Sequence, residues 1–244
     1  MKFEYLVQKG IKDIGPNNLI KNESILEALE DTGDAHSNSA GYGALDLDKT
    51  NISWVLLEWK IQVLKRPLYN EKLQVETWGR DFKRAATYRD FNVYNDKKEL
   101  LIIGTSKWAM INSINHKILR ITDEIYNKYK PEDELKVFGE EEIEKIDIPE
   151  LYSNEYTYKI EKKDIDINNH FHNTLYLSLA YEALPVEVYN EREFDYFRIT
   201  YKKEIVYGDV VKCKYAEVNN NHIVVLYNET KETMAAIIEL RKTK

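Results

Sequence analysis

Four long segments between residues 53 and 112 carry the alternating apolar pattern that is typical of β-strands. They are rich in aromatic and β-branched residues, and short polar breaks separate them. The segments are 53–64 (SWVLLEWKIQVL), 71–79 (EKLQVETWG), 86–95 (ATYRDFNVYN) and 99–112 (ELLIIGTSKWAMIN). Breaks this short favour antiparallel pairing of neighbours, so this half of the chain is expected to form an antiparallel sheet.

Helical segments precede these strands. A short strand is predicted over residues 3–7, and the sequence SILEALEDTGDAH then predicts one helix. Residues 34–47 predict a second helix, which contains Gly41 and Gly43.

The same order of helix and strands returns in the second half. A shift of 138 residues places Tyr69 on Tyr207 and Ile61 on Ile199, and it places residues 34–47 on residues 172–185. Such self-similarity predicts a duplicated unit.

One helix followed by a curved antiparallel sheet is typical of the hot-dog fold, in which the sheet wraps the helix. We therefore predict an α+β tandem (double) hot-dog fold, with long central helices wrapped by a continuous antiparallel β-sheet. The predicted divisions are an N-terminal unit (1–121), an acidic connector (122–154) and a C-terminal unit (155–244).

Composition excludes several classes of protein. A formal net charge of −7 argues against general nucleic-acid binding, which needs a surplus of Lys and Arg. The single cysteine, Cys213, cannot form an intramolecular disulfide, and its apolar strand pattern favours a buried residue over a nucleophile. No His, Asp or Glu spacing indicates a metal site, so no metal or cofactor is expected. No membrane span or targeting segment is recognised, and a cytoplasmic location is expected.

A polar cluster stands immediately before an apolar helical pattern in the second half. Residues 164–185 read DIDINNHFHNTLYLSLAYEALP, and Asn173 is predicted to be the N-cap of the helix. The N–H groups at a helix start can polarise a carbonyl or hold an oxyanion, so this loop is a candidate site.

DIDINNHFHNTLY, together with LAYEALP and the later YKKEI, resembles the acyl-acyl carrier protein thioesterase family, whose pattern is D-x-N-x-H-V-N-N-x-x-Y with a later Y-x-x-E. The resemblance extends over nearly the whole chain. It implies a double hot-dog enzyme that hydrolyses the thioester between a fatty acyl chain and the phosphopantetheine arm of acyl carrier protein.

By this resemblance, the catalytic positions are Asp166, Asn168, His170 and Glu204. Glu204 or Asp166 would activate water, or Asp166 would attack directly. Asn168 and His170 would position the water and the partner carboxylate, and N–H groups near Asn173 would hold the oxyanion.

The chain departs from the family pattern at two places. Ile205 stands where many relatives have cysteine, which fits a mechanism driven by carboxylates. Phe171 and His172 replace the usual Val-Asn pair.

Each of these residues also has an ordinary structural reading. Asp166 and Asn168 are common in Asx-turns before helices, and His170 and Glu204 are common on surfaces. Their joint spacing favours the site.

The first half is predicted to bind the acyl chain without chemistry, because its helix entry, taken as GDAHSNSAG, lacks the motif. The candidates for its pocket lining or core are apolar residues of the predicted strands: Trp54, Leu56, Trp59, Ile61, Trp78, Phe91, Ile103 and Trp108.

An acidic carrier protein requires a local basic patch on this acidic chain. The most basic stretch contains Arg80, Lys83, Arg84 and Arg89, which could alternatively be a solvated strand face.

Two other functions stay open from the sequence, namely a hot-dog 3-hydroxyacyl thioester dehydratase and a non-catalytic acyl-binding module. Either a monomer or a homodimer is compatible with a duplicated chain.

Overall fold

The computed structural model describes residues 1–16, 18–83, 85–139, 142–191 and 194–243. The chain divides into two compact units, Met1–Ile143 (unit 1) and Glu144–Lys244 (unit 2). The division falls inside the segment 122–154, which the sequence indicates as a connector.

The described residues of unit 1 form five antiparallel strands. They are β1 (Phe3–Gln8), β2 (Ile52–Val63), β3 (Lys72–Lys83), β4 (Ala86–Asn95) and β5 (Leu100–Asn112). Their order across the sheet is β1-β3-β4-β5-β2. The four long strands predicted from the alternating pattern are confirmed as β2 to β5.

Unit 2 repeats this arrangement in its described residues. Its strands are β6 (Asn154–Lys159), β7 (Tyr196–Tyr201), β8 (Val210–Val218), β9 (Asn221–Asn228) and β10 (Thr233–Arg241). The order β6-β8-β9-β10-β7 is the same as in unit 1, strand for strand, and the pairing is again antiparallel. The prediction of a duplicated unit is therefore confirmed.

One continuous helix in unit 1, α1 (Asn22–Ala40), replaces the two helices expected from the sequence. The helix ends because Gly41 adopts the left-handed conformation (φ 82°), which a residue without Cβ tolerates best. Residues 34–47 are therefore not a separate helix, and only the short α2 (Leu47–Thr50) follows. Leu26 and Leu29 of α1 are completely buried.

The remaining helices are shorter. Helix α3 (Asp123–Lys128) lies in the predicted connector, and Thr122 caps it by accepting the N–H of Ile125. In unit 2, α4 (Leu175–Glu182) packs against β8, β9 and β10. Pro185 follows and disfavours continuation, after which α5 (Val186–Glu191) begins. A long central helix is thus present in unit 1, whereas that of unit 2 is short.

Apolar side chains from the strands and α1 form the core of unit 1. Ile61 and Leu29 both pack against Gly104, where an added Cβ would lie 3.3 Å from Leu29. The rings of Trp59 and Phe91 lie 5.2 Å apart. Of the eight residues proposed for core or pocket, five are buried, namely Leu56, Trp59, Ile61, Trp78 and Phe91. Trp54, Ile103 and Trp108 are half-buried.

Cys213 is fully buried on β8, and burial raises the pKa of its thiol to about 12. Its position confirms the prediction of a buried strand residue. A thiol with so high a pKa is not a ready nucleophile. None of the described helices has both the length and the apolar composition needed to cross a bilayer.

Candidate active site

A hydrogen-bonded carboxylate anchors the start of the loop before α4. Asp164, which is buried, ends a single turn of 3₁₀-helix over Lys162–Asp164. Its Oδ2 accepts the backbone N–H of Glu161 at 2.9 Å and the hydroxyl of Tyr158 at 3.0 Å. Asp164 therefore positions the loop rather than facing a substrate.

Asp166 organises a tight turn over residues 166–170. Its Oδ1 accepts the backbone N–H groups of Asn168 (2.8 Å) and His170 (3.0 Å). Asn169 closes the turn in the left-handed conformation (φ 62°), and its N–H donates to the Asp166 carbonyl at 3.1 Å. The Asx-turn considered for Asp166 is thus present, and it holds the carboxylate in one orientation. Asn168 is exposed on this turn.

His170 and Glu204 form the central contact of the site. Nε2 of His170 lies 3.2 Å from Oε2 of Glu204, and an isolated β-bridge between His170 and Val206 brings the two segments together. Both side chains remain accessible, since 38% of the His170 side chain and 64% of that of Glu204 are exposed. With Asp166 bonded to the His170 N–H, three of the four predicted catalytic residues are directly linked.

The start of α4 differs from the expectation. Asn173 is not the N-cap, because the helix begins at Leu175 and Thr174 is its N-cap residue. The Asn173 carbonyl accepts the hydroxyl of Tyr201 at 2.9 Å, and Thr174 Oγ1 lies 2.9 Å from His172 Nδ1. The chain turns between His172 and Leu175, since the N–H of Leu175 donates to the His172 carbonyl at 3.0 Å.

Tyr176 is a residue to which the sequence analysis assigned no role. The tyrosine is buried on α4, and its ring centroid lies 5.0 Å from that of Phe171. The carboxylates of Glu204, Asp166 and Asp209 lie near enough to its phenol to disfavour ionisation. Burial, together with these three negative charges, raises the pKa of Tyr176 and keeps its phenol protonated. The sequence signal for this residue was the tyrosine that ends the motif D-x-N-x-H-V-N-N-x-x-Y, which falls on Tyr176.

This arrangement can perform general acid-base chemistry. An imidazole held by a carboxylate can take a proton from water and return it to a leaving group. Asp166 adds a second oriented carboxylate. Within the described parts of the chain, no three His, Cys, Asp or Glu side chains are grouped as metal ligands.

Unit 1 contains a counterpart of this loop at residues 10–22, which read GIKDIGPNNLIKN. The carboxylate of Asp13 accepts the Gly10 N–H at 2.7 Å, as Asp164 accepts that of Glu161. Asn18 has φ 62°, the value found at Asn169. The shift between the two loops is 151 residues (164 minus 13), and the sequences share K-D-I-x-x-N-N-x-x-x-N.

The correct alignment of the halves therefore changes at the central helix. The shift of 138 holds for the strands, where the N–H groups of Leu68 and Val206 both donate to carboxylates three residues later at 3.0 Å. It is wrong for residues 34–47, because α1 is longer than α4. The entry of unit 1 is consequently the loop at 10–22 and not GDAHSNSAG.

The loop of unit 1 lacks the chemical groups found in unit 2. Gly15 occupies the position of Asp166, Leu19 that of His170 and Arg66 that of Glu204. Arg66 Nη1 instead donates to the Ile20 carbonyl at 2.8 Å. Asn17, the counterpart of Asn168, lies outside the described residues.

The basic stretch proposed for docking is wrong for two of its four members, because both are buried. Arg80 Nη1 lies 3.5 Å from Asp90 Oδ1, and Arg89 Nη1 donates to His36 Nδ1 at 2.7 Å. Burial lowers the pKa of Arg89 to about 10. Arg84 and the side chain of Lys83 lie outside the described part of the chain.

Two units with one strand order, each with a helix against its sheet, define a tandem hot-dog protein. Two family models cover the chain, the acyl-ACP thioesterase N-terminal domain over residues 1–129 and the C-terminal domain over residues 149–242. The chain belongs to the acyl-ACP thioesterase family.

Individual relatives agree with this family. Oleoyl-acyl carrier protein thioesterase 2, chloroplastic, of Arabidopsis thaliana is 27% identical over 230 residues, covering 87% of this chain and 62% of that protein. This chain thus spans less than two thirds of that relative's length. An acyl-ACP thioesterase from Bacteroides thetaiotaomicron has a TM-score of 0.86 at 22% identity, covering 98% and 97% of the two chains. The 12:0-ACP thioesterase from Umbellularia californica has a TM-score of 0.84 at 17% identity, covering 98% of this chain and 96% of that one. These two likenesses support the fold.

Proposed function

We propose that this protein hydrolyses the thioester of a fatty acyl chain carried by acyl carrier protein, which releases free fatty acid and ends chain elongation. The observation that carries the proposal is the 3.2 Å contact between His170 Nε2 and Glu204 Oε2, beside the carboxylate of Asp166. The choice of substrate class is supported by the relatives, whose names are those of acyl carrier protein thioesterases.

In the proposed reaction, His170 is oriented by Glu204 and takes a proton from water, whose oxygen attacks the thioester carbonyl carbon. Asn168 and Asp166 position the water, and backbone N–H groups near Asn173 stabilise the oxyanion. The C–S bond then breaks, and the sulfur of the phosphopantetheine arm receives the proton. Expulsion is easy, because a thiol with a pKa of about 8.5 is a good leaving group.

Direct attack by the Asp166 carboxylate is the alternative for the first step. It would form a mixed anhydride that water then cleaves. The turn that orients Asp166 is compatible with either role, and transfer of ¹⁸O from labelled solvent into Asp166 over repeated turnovers would identify direct attack.

The proposed substrates are fatty acyl chains as a class, since the relatives' names specify different chains, oleoyl and 12:0. The cytoplasmic location stays a prediction from the sequence. The assembly, monomer or homodimer, also stays a prediction, and its test is the mass of the protein in solution.

The proposal is tested by incubating the purified protein with acyl carrier protein that carries either a fatty acyl or a 3-hydroxyacyl group. Free fatty acid is the expected product. Formation of an enoyl thioester from the 3-hydroxyacyl substrate would assign a dehydratase instead, and tight binding without turnover would assign an acyl-binding module.

A further inference from the structure

Two consecutive lysines, Lys202 and Lys203, lie between β7 and the catalytic candidate Glu204. Both side chains are exposed. Their backbone N–H groups both donate to the carbonyl of Ala235, at 2.8 and 3.2 Å. The backbone at these lysines is therefore held in place while the charged ends extend into water.

Unit 1 has the same backbone feature with a different charge balance. The N–H groups of Leu64 and Lys65 both donate to the carbonyl of Leu101, at 2.8 and 3.0 Å. There, Nζ of Lys65 is paired with Glu99 at 2.7 Å. The positive charge at this strand end is thus neutralised in unit 1.

Unit 2 lacks the neutralising carboxylate. Glu99 stands two residues before the accepting carbonyl of unit 1, and the corresponding residue before Ala235 is Thr233. Among the described residues, neither Lys202 nor Lys203 has a carboxylate within ion-pair distance. In its described part, unit 2 therefore presents two exposed lysines without a close ion pair, whereas in unit 1 the lysine at this strand end is paired with Glu99.

The segment that carries these charges also contacts the site loop, which contains an exposed apolar residue. Lys203 directly precedes Glu204 in the chain, and the Glu204 carboxylate contacts His170 at the end of the 166–170 turn. Ile167 lies in that turn with 81% of its surface exposed. An exposed apolar side chain with positive charges near the reacting groups is typical of a surface that binds an acidic partner.

The charge of the whole chain strengthens this reading. At a formal net charge of −7, the protein repels an acidic partner at long range, so productive encounter needs local positive charge. We propose that Lys202, Lys203 and Ile167 form the surface on which an acidic carrier protein docks to deliver its thioester. This inference rests on the proposed function and replaces the buried Arg80 and Arg89 as docking residues.

Charge reversal of both lysines, K202E/K203E, tests the surface. The matched control is K49E/K117E, because Lys49 and Lys117 are exposed lysines of unit 1 and each double variant changes the net charge by four (two per substitution). Substrates are acyl carrier protein thioester and the same acyl group on N-acetylcysteamine, an uncharged thioester without a protein. For the carrier substrate, KM should rise on the order of tenfold in K202E/K203E and change less than about twofold in the control.

Hydrolysis of the N-acetylcysteamine thioester should stay within about twofold of the wild type in both variants, because this substrate makes no charged contact. The kcat/KM of the wild type for the carrier substrate should fall with added salt, and this salt dependence should be weaker in K202E/K203E. Ile167→Ser should raise KM for the carrier substrate without changing the salt dependence.

An unchanged KM in K202E/K203E would overturn the docking surface, as would an equal rise in the control. Equal loss of activity on the neutral thioester would also overturn it, because the lysines would then support the site itself. The acyl-CoA thioester is a third substrate. If K202E/K203E raises KM for acyl-CoA as much as for the carrier substrate, the lysines contact the phosphates of the arm and protein docking is rejected. If the wild type does not hydrolyse the carrier thioester at all, the proposed function fails instead.

Discussion

The imidazole of His170 and the carboxylate of Glu204 meet at 3.2 Å, although the two residues belong to separate segments of unit 2. The β-bridge from His170 to Val206 and the hydrogen bond from the Phe171 N–H to the Ile205 carbonyl (2.8 Å) align these segments. Backbone pairing therefore brings the two residues of the proposed acid-base pair next to each other.

Because His170 and Glu204 act as one unit, their substitutions should not be additive. Glu204→Gln should lower kcat about a hundredfold and His170→Ala by at least as much, while the double variant should be no slower than His170→Ala. Single-turnover hydrolysis measures the chemical step. Glu217→Gln, at an exposed glutamate on β8, is the control and should behave as the wild type. Fully multiplicative losses would show that the two residues act independently.

Asp166 should be needed for the shape of its turn. Asp166→Ala removes the acceptor of two backbone N–H groups and should lower the free energy of unfolding by about 1–3 kcal/mol. Asp166→Asn keeps an acceptor oxygen and should lower it by less than about 1 kcal/mol. Urea denaturation measures both values, and equal stability of the two variants would contradict the role in the turn. Loss of turnover in a stable Asn variant would in addition assign chemistry to the charge.

Tyr176→Phe tests whether the phenol supports the reaction. The phenol is buried near the carboxylates of Glu204 and Asp166, so loss of its hydroxyl should lower kcat more than it changes KM, while stability should fall by no more than about 1 kcal/mol. Tyr201→Phe removes a hydroxyl that binds the Asn173 carbonyl at 2.9 Å and serves as the comparison. A wild-type kcat in Tyr176→Phe would leave this tyrosine with a packing role alone.

His36 should make stability fall in mild acid. Burial and the adjacent Arg89 lower the pKa of His36 from 6.5 to about 3, so the neutral ring is the folded form. Below pH 6.5 the unfolded chain binds a proton that the folded chain does not, and stability is lost as pH falls from 6.5 towards 3. The loss from this group should reach on the order of 3 kcal/mol near pH 4.5.

His36→Asn is the matched variant, because the asparagine oxygen can accept the Arg89 N–H without titrating. Its free energy of unfolding should decline less than that of the wild type between pH 7 and pH 4.5. Parallel declines would show that His36 is not the titrating group.

Local sequence patterns predicted much of this molecule correctly. The alternation in residues 53–112 predicted β2 to β5, because the period of two reports the two faces of a strand directly. The order of Asp166, Asn168 and His170 predicted a site, which stays a prediction, and their short spacing correctly placed them in one turn. The same patterns misplaced the end of α1, where one left-handed glycine, Gly41, decided the boundary.

The sequence by itself determined the duplicated unit, its strands and the polar loop before α4, because these follow from local periodicity and repetition. Only the tertiary structure decided which carboxylate holds His170, because that pairing depends on the register between the loop and the segment after β7. Burial was also a tertiary matter. Arg80 and Arg89 look like Lys202 and Lys203 in the sequence, yet long-range packing encloses the first two and leaves the others in water.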